Sequence, residues 1–132
     1  MEGEKRKILI VDDDNFLLDM YALKFSQNNF IVHTASSGAQ AIEKLEDKLN
    51  PDVILLDIIM PEMDGFEMLK KINNERLSPD SVKIILSNKS ETEDISRGEE
   101  LGIAGYIVKA SSTPMEVIEQ VLNILPKKVI EK

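Results

Sequence analysis

Asp12, Asp13, Asp57, Ser87, Tyr106 and Lys109 are the residues whose types and spacing could do chemistry in this chain. All but Tyr106 stand just past the end of an apolar run that reads as a β-strand, and Tyr106 lies within one. In an open parallel sheet such strand ends lie side by side and form the ligand crevice. Three carboxylates, a hydroxyl and an ammonium would meet there. Clustered hard oxygen ligands suit Mg²⁺. A carboxylate beside that ion, with a lysine and a hydroxyl near it, suits phosphoryl transfer onto the carboxylate.

Each residue also has a plainer reading. Clustered carboxylates repel one another, and a divalent cation relieves that repulsion. Asp14 reads instead as the N-cap of the first helix. Asp57 ends the most apolar strand; it is a poor helix anchor, because the cap expected there, Asp64, comes seven residues later. A strand-end serine is commonly a turn former, and a strand-end lysine is commonly solvated. Beside the acids, Ser87 could donate to a phosphoryl oxygen and Lys109 could neutralise it. His33, the single histidine, reads as an outward, solvated residue of the second strand.

The elements that must position these residues follow from periodicity. Apolar runs recur at Ile8–Val11, Ile31–Ala35, Val53–Leu56, Lys83–Leu86 and Gly105–Val108. Ile8–Val11, Val53–Leu56 and Ile84–Leu86 show no alternation, which means burial on both faces of a parallel sheet. Helical stripes fill the gaps: Leu18, Tyr21, Ala22 and Phe25; Ala41, Ile42, Leu45 and Leu49; Ile118, Val121, Leu122 and Leu125. Ser37 with Gln40, Asp64 with Glu67, and Ser90 with Glu93 have capping-box spacing. Thr113, Pro114 and Glu116 open the last helix, and Pro126 closes it. The helix after the fourth strand is the weakest, with Gly98 inside it and few apolar residues beyond Ile95 and Leu101. The order is (βα)5, a doubly wound α/β sheet with right-handed crossovers. One domain is expected over 7–126, with tails at 1–6 and 127–132.

Bulk properties narrow the function. The 132 residues suffice for one domain with a sizeable core. Hydrophobic residues make up 42% and charged residues 30%, a globular balance. A formal net charge of −8 argues against direct nucleic-acid binding. Cysteine is absent, which excludes disulfides, zinc-thiolate sites and thiol catalysis. No apolar run approaches the roughly 20 residues that span a bilayer. Nothing after Lys5-Arg6-Lys7 is long enough for a signal peptide, so a cytoplasmic protein is expected.

Three stretches carry a family resemblance: Ile8-Leu9-Ile10-Val11-Asp12-Asp13-Asp14, Asp57-Ile58-Ile59-Met60-Pro61-Glu62-Met63-Asp64-Gly65, and Gly105-Tyr106-Ile107-Val108-Lys109. With them the chain, from about Lys7 to Leu125, resembles the receiver domain of bacterial two-component response regulators, of the CheY-like superfamily. The middle stretch is the most specific. The resemblance implies a flavodoxin-like strand order 2-1-3-4-5 and a signalling switch phosphorylated on Asp57 by a sensor histidine kinase or phosphotransfer protein. It implies Mg²⁺ held by Asp13 directly, by Asp12 mainly through water, by Asp57 and by the carbonyl of Ile59. Lys109 would bind the phosphoryl group, Ser87 would be the switch hydroxyl, and Tyr106 the aromatic that turns inward with it. No enzymatic activity is implied beyond self-catalysed phosphoryl transfer and autodephosphorylation.

Some positions depart from the family pattern. Ala110 stands where the family has a proline after the lysine. A cis bond before a non-proline residue costs roughly 3–4 kcal/mol, so a trans Lys109–Ala110 bond is expected, with a different loop path. Asn88 replaces a very small residue and could narrow access to Asp57. Ile59 and Lys89 hold the positions that tune hydrolysis in the family. The expected function is a stand-alone regulator, monomeric when unphosphorylated, that acts on a protein target. The alternative is the regulatory domain of a larger regulator with DNA-binding or enzymatic output, with 127–132 as the start of a linker. A haloacid-dehalogenase-type hydrolase would need a cap domain, and a flavodoxin-like FMN protein would need a hydroxyl- and glycine-rich loop after the first strand. The last helix has no Lys or Arg over Pro114–Leu125, which disfavours a charge-latched homodimer. An apolar contact through Ile103, Met115 and Val117 is expected in its place.

Overall fold

Alternating apolar runs and amphipathic stretches fold as β1 (Arg6–Val11), α1 (Asn15–Gln27), β2 (Phe30–Ala35), α2 (Gly38–Glu46), β3 (Val53–Leu56), α3 (Gly65–Asn74), β4 (Val82–Ser87), α4 (Thr92–Glu100), β5 (Gly105–Val108) and α5 (Pro114–Ile124), with a 3-10 turn at Lys109–Ser111 between the last two. The structure, a computed structural model, describes residues 5–126. Of the expected tails, 1–4 and 127–132 lie outside the described residues, and Arg6 already opens β1.

The sheet is parallel throughout, in the order β2-β1-β3-β4-β5. Its strands are apolar on both sides because helices cover both sides. Ile8, Ile10, Val53, Leu55, Ile84, Leu86 and Ile107 pack with α1 and α5 around Tyr21, Phe25, Val117 and Val121. Leu9, Val11, Ile54, Leu56 and Ile85 face α2 and α3 through Ile42, Leu45, Phe66, Met68 and Leu69. Phe25 and Phe30 meet edge to face, with ring centroids 5.0 Å apart. α4 differs: its buried residues are Asp94 and Gly98.

The caps largely follow the spacing. Asp14 accepts the Leu17 N–H at 3.1 Å. Asp64 with Glu67 and Thr113 with Glu116 form full capping boxes, and Pro114 opens α5. At α2, Ser37 caps Gln40 N–H, but the Gln40 side chain reaches back to Ser36 N–H at 2.9 Å. The α4 cap lies one residue later than expected. Asp94 accepts the Glu91 N–H at 3.1 Å with one carboxylate oxygen and pairs with the Lys89 ammonium at 3.0 Å through the other.

Two apolar expectations fail in part, and the rotation of α5 accounts for Val117 and Leu122 in them. Val117, Ile118 and Val121 face the sheet, leaving Leu122 43% exposed. Val117 is therefore fully buried. Met115 turns toward the end of α1, its sulfur 3.8 Å from Asn28 Nδ2. Ile103 packs into the α2–α3 layer. Of the expected patch of Ile103, Met115 and Val117, only Met115 is exposed, at 45%; Ile103 is half-buried and Val117 is covered.

Gly65 shows how tightly the loop after β3 is held. Its N–H donates to the Ile58 carbonyl at 2.8 Å. A Cβ there would press on the Asp57 carbonyl oxygen and lie 2.8 Å from Ile58 Cα, backbone atoms that cannot swing away. Gly65→Ala is expected to destabilise the fold by about 1–3 kcal/mol, the usual range for overpacking, measured by urea unfolding.

Candidate functional site

Parallel pairing brings the strand ends together. Val11 lies opposite Leu56, and Ser87 opposite Val108. The next residues along, Asp12, Asp57 and Lys109, therefore emerge at one edge of the sheet beside Ser87. The backbone continues the ladder into the site, with Asp57 N–H on the Val11 carbonyl at 3.0 Å and Asp12 N–H on the Ala35 carbonyl at 3.2 Å.

At the centre is Lys109. Its Nζ lies 2.6 Å from Asp12 Oδ2 and 2.7 Å from Asp57 Oδ2, and all three side chains are about nine-tenths buried or more. The second oxygens are also held. Asp12 Oδ1 accepts the Asp14 N–H at 2.9 Å, and Asp57 Oδ1 accepts the Ile58 N–H at 2.7 Å and the Ile59 N–H at 3.4 Å. Asp13 is exposed at the mouth. One carboxylate oxygen from each of Asp12, Asp13 and Asp57 lies within 4.8 Å of the others. Three carboxylates against one ammonium leave two negative charges uncompensated. An all-oxygen donor set with that deficit fits a hard divalent cation.

Ser87 is fully buried. Its Oγ accepts the Lys89 N–H at 3.2 Å, and among the described residues it makes no hydrogen bond to Asp57 or Lys109. Tyr106 is half-buried against the α2–α3 layer, and its hydroxyl donates to the Lys89 carbonyl. Ile59 follows Asp57 by two residues and exposes 61% of its surface. The Lys89 ammonium is turned away to Asp94. No peptide bond among the described residues is cis, so Lys109–Ala110 is trans as expected. His33 is half-buried and lines a surface groove with Lys44, Asp47 and Lys48.

Sequence reasoning missed two residues here, Asp94 and Tyr21, and gave a third, Asn88, a different role. Asp94 is 6% exposed and ties α4 to the loop after β4; a carboxylate in the first turn of a polar helix gives no sign of burial. Tyr21 belongs to the apolar stripe of α1, yet its phenol is raised by burial and also feels the charges of Lys109, Asp12 and Asp57. Asn88 is exposed, and its Oδ1 accepts the Ala110 N–H at 2.7 Å. Its carboxamide thus reaches across to the next loop, which the expectation of narrowed access did not include.

Burial and charge set the protonation. Burial pushes the Asp12 carboxyl up, against the opposing pull of Lys109. Burial alone would lower the Lys109 ammonium, but its hydrogen bonds to Asp12 and Asp57 outweigh that and raise it. Burial raises the Tyr21 phenol. Burial, then the negative charges of Asp94 and Asp57, push Tyr106 up to about 12. A phenol raised in the folded state favours folding fully below its unfolded pKa of about 10, and that contribution is lost as pH rises through the folded value. Absorbance titration at ~295 nm is therefore expected to show phenolate formation delayed beyond pH ~10 in the native protein and restored to ~10 in urea. Tyr106→Phe should remove the component near pH 12.

Comparison with known proteins places this geometry. The family model for the response regulator receiver domain matches residues 8–122. The alkaline phosphatase synthesis transcriptional regulatory protein PhoP of Bacillus subtilis is 34% identical over 125 residues, covering 95% of this chain and 50% of PhoP. The response regulator SaeR of Staphylococcus aureus is 32% identical over 120 residues, covering 91% of this chain and 50% of SaeR. The chain thus spans about half the length of these relatives. The crystal structure of the Vibrio cholerae chemotaxis protein CheY4 superposes with a TM-score of 0.84 at 27% identity, covering 92% of this chain and 99% of CheY4. With the motif stretches, the strand order and the acid–lysine cluster all in place, the chain belongs to the response regulator receiver domain family.

Proposed function

We propose that the chain is a phosphoryl-accepting switch in which Asp57 receives the phosphoryl group from a sensor histidine kinase or phosphotransfer protein. The observation that carries this reading is the double contact of Lys109 with Asp12 and Asp57, beside a third carboxylate at the mouth of the same pocket. Asp12, Asp13 and Asp57, with the Ile59 carbonyl, would hold Mg²⁺. When bound, the ion supplies positive charge against the carboxylates and the incoming phosphoryl oxygens.

The chain's own groups do the rest. The Ile58 and Ile59 N–H groups orient the Asp57 carboxylate. One of its oxygens forms the new bond to phosphorus while the donor's leaving group departs with the electrons of the broken bond. Lys109, already at Asp57 Oδ2, neutralises the phosphoryl oxygens. Ser87 turns its hydroxyl to the phosphoryl group and gives up the Lys89 N–H. Lys89 also holds the Tyr106 hydroxyl through its carbonyl, so a shift of Lys89 releases the ring to turn inward. Loss of the phosphoryl group to water is catalysed by the same pocket.

The output is proposed to be protein contact by a stand-alone cytoplasmic regulator, monomeric when unphosphorylated. No described helix is long and apolar enough to cross a membrane. A second reading is favoured by the relatives: PhoP is a transcriptional regulatory protein about twice as long as the matched stretch. In that reading this chain is the regulatory domain of a larger regulator.

Incubation with Mg²⁺ and acetyl phosphate is expected to add one phosphoryl group, seen by intact mass. Asp57→Asn or EDTA should abolish it, and undiminished labelling of Asp57→Asn would overturn the assignment. Mg²⁺ at roughly ten to a hundred times its Kd should stabilise the protein by about 1.4–2.7 kcal/mol. Asp13→Asn should unfold at higher urea than the parent without the ion, since one repelling charge is gone, and should lose the Mg²⁺ response. Urea curves with and without the ion decide this.

A further inference from the structure

The two departures at Asn88 and Ala110 touch each other. Ala110 lies in the Lys109–Ser111 turn. The first N–H groups of such a turn have no partner within it and need one from outside. For Ala110 that partner is the Asn88 side chain, Oδ1 to N at 2.7 Å. A proline at 110 would have no N–H to satisfy, and a very small residue at 88 would have no acceptor to offer. The two positions are complementary. Asn88 follows Ser87 directly, and Ala110 follows Lys109. The bond therefore joins the loop of the buried hydroxyl to the loop of the ammonium that bridges Asp12 and Asp57.

We propose that Asn88 is a positioning residue for phosphoryl transfer: its carboxamide caps the lysine-bearing turn through the Ala110 N–H, so the Ser87 and Lys109 loops hold and move as one piece. The proposal rests on the reading of Asp57 as acceptor and Lys109 as its cation. It assigns Asn88 a role opposite to obstruction. A residue that merely blocked the pocket would speed labelling when trimmed. A residue that fixes the lysine's backbone slows it.

The test has a structural arm and a kinetic arm. Amide hydrogen exchange by NMR should show Ala110 N–H protected in the parent protein and about three- to tenfold less protected in Asn88→Ala, the loss of one ordinary hydrogen bond. Labelling uses acetyl phosphate with saturating Mg²⁺; the phosphoryl group passes to an Asp57 oxygen and acetate leaves. Asn88→Ala should lower the maximal rate about three- to tenfold by the same reckoning, with the half-saturating donor concentration little changed. In an Ala110→Pro background, which lacks the N–H, Asn88→Ala should cost nothing further. Should Ala110→Pro fail to fold, Asn88→Asp takes its place: it keeps an acceptor oxygen and should restore Ala110 protection. Unchanged exchange at Ala110, faster labelling of Asn88→Ala, an equal loss in the proline background, or no restored protection in Asn88→Asp would each overturn the proposal. Labelling that survives Asp57→Asn would sink the underlying reading alone, because the exchange at Ala110 does not depend on it.

Discussion

The ammonium of Lys109 between Asp12 and Asp57 is the interaction on which the site depends. Gathering carboxylates at the edge of an apolar sheet is costly, since a buried charge is tolerated only when paired and hydrogen-bonded. Here each buried carboxylate has one oxygen on the lysine and the other on backbone N–H groups. The charge that remains, with Asp13 added at the mouth, is charge that a divalent ion would balance. The resting pocket is thus incomplete electrostatically while every buried polar side-chain atom among the described residues has a partner. Removing one member of such a buried ionic cluster typically costs about 3–5 kcal/mol. The cluster is consequently a structural element as well as a chemical one.

The sheet supplies the rigidity this arrangement needs. Ile8–Val11 and β3 are buried on both faces, so a slip by one residue would swap the side chains that fit the α1–α5 layer with those that fit the α2–α3 layer. That fixes where Asp12 and Asp57 emerge. Ser87 and Lys109 come from β4 and β5, whose pairing starts at Ile84 with Gly105. Four groups from four strands meet because the three registers between those strands are fixed by packing, not because the loops carrying them are stiff.

Much of this was legible in the sequence. Unbroken apolar runs such as Val53–Leu56 announced two-sided burial, and the strand-end acids announced a crevice. Strand limits moved by two residues at most, at the start of β1, because Arg6 and Lys7 pair in the ladder without being apolar. What was not legible depended on rotation about a helix axis or on side-chain reach. Val117 and Leu122 are both apolar, and only the docking angle of α5 decides which is covered. Ser90 and Glu91 are both one turn from an acid, and it is Glu91 that becomes the cap, with Asp94 held both by its N–H and by Lys89. The bond between Asn88 and Ala110 joins residues 22 apart, and nothing local to either position signals it.

α4 holds a further consequence. It rests on the fold through Gly98 against Ile85 and Ile103, through Arg97 over the Phe66 ring at 4.3 Å, and through polar ties to Lys89 and Asn73. A helix seated on several leucines would take many kilocalories to displace. One added anion supplies only a few charge-assisted hydrogen bonds, each worth about 1.5–3 kcal/mol. With so little apolar contact beneath it, α4 is the helix whose displacement costs least, within reach of the few kilocalories that one small anion supplies.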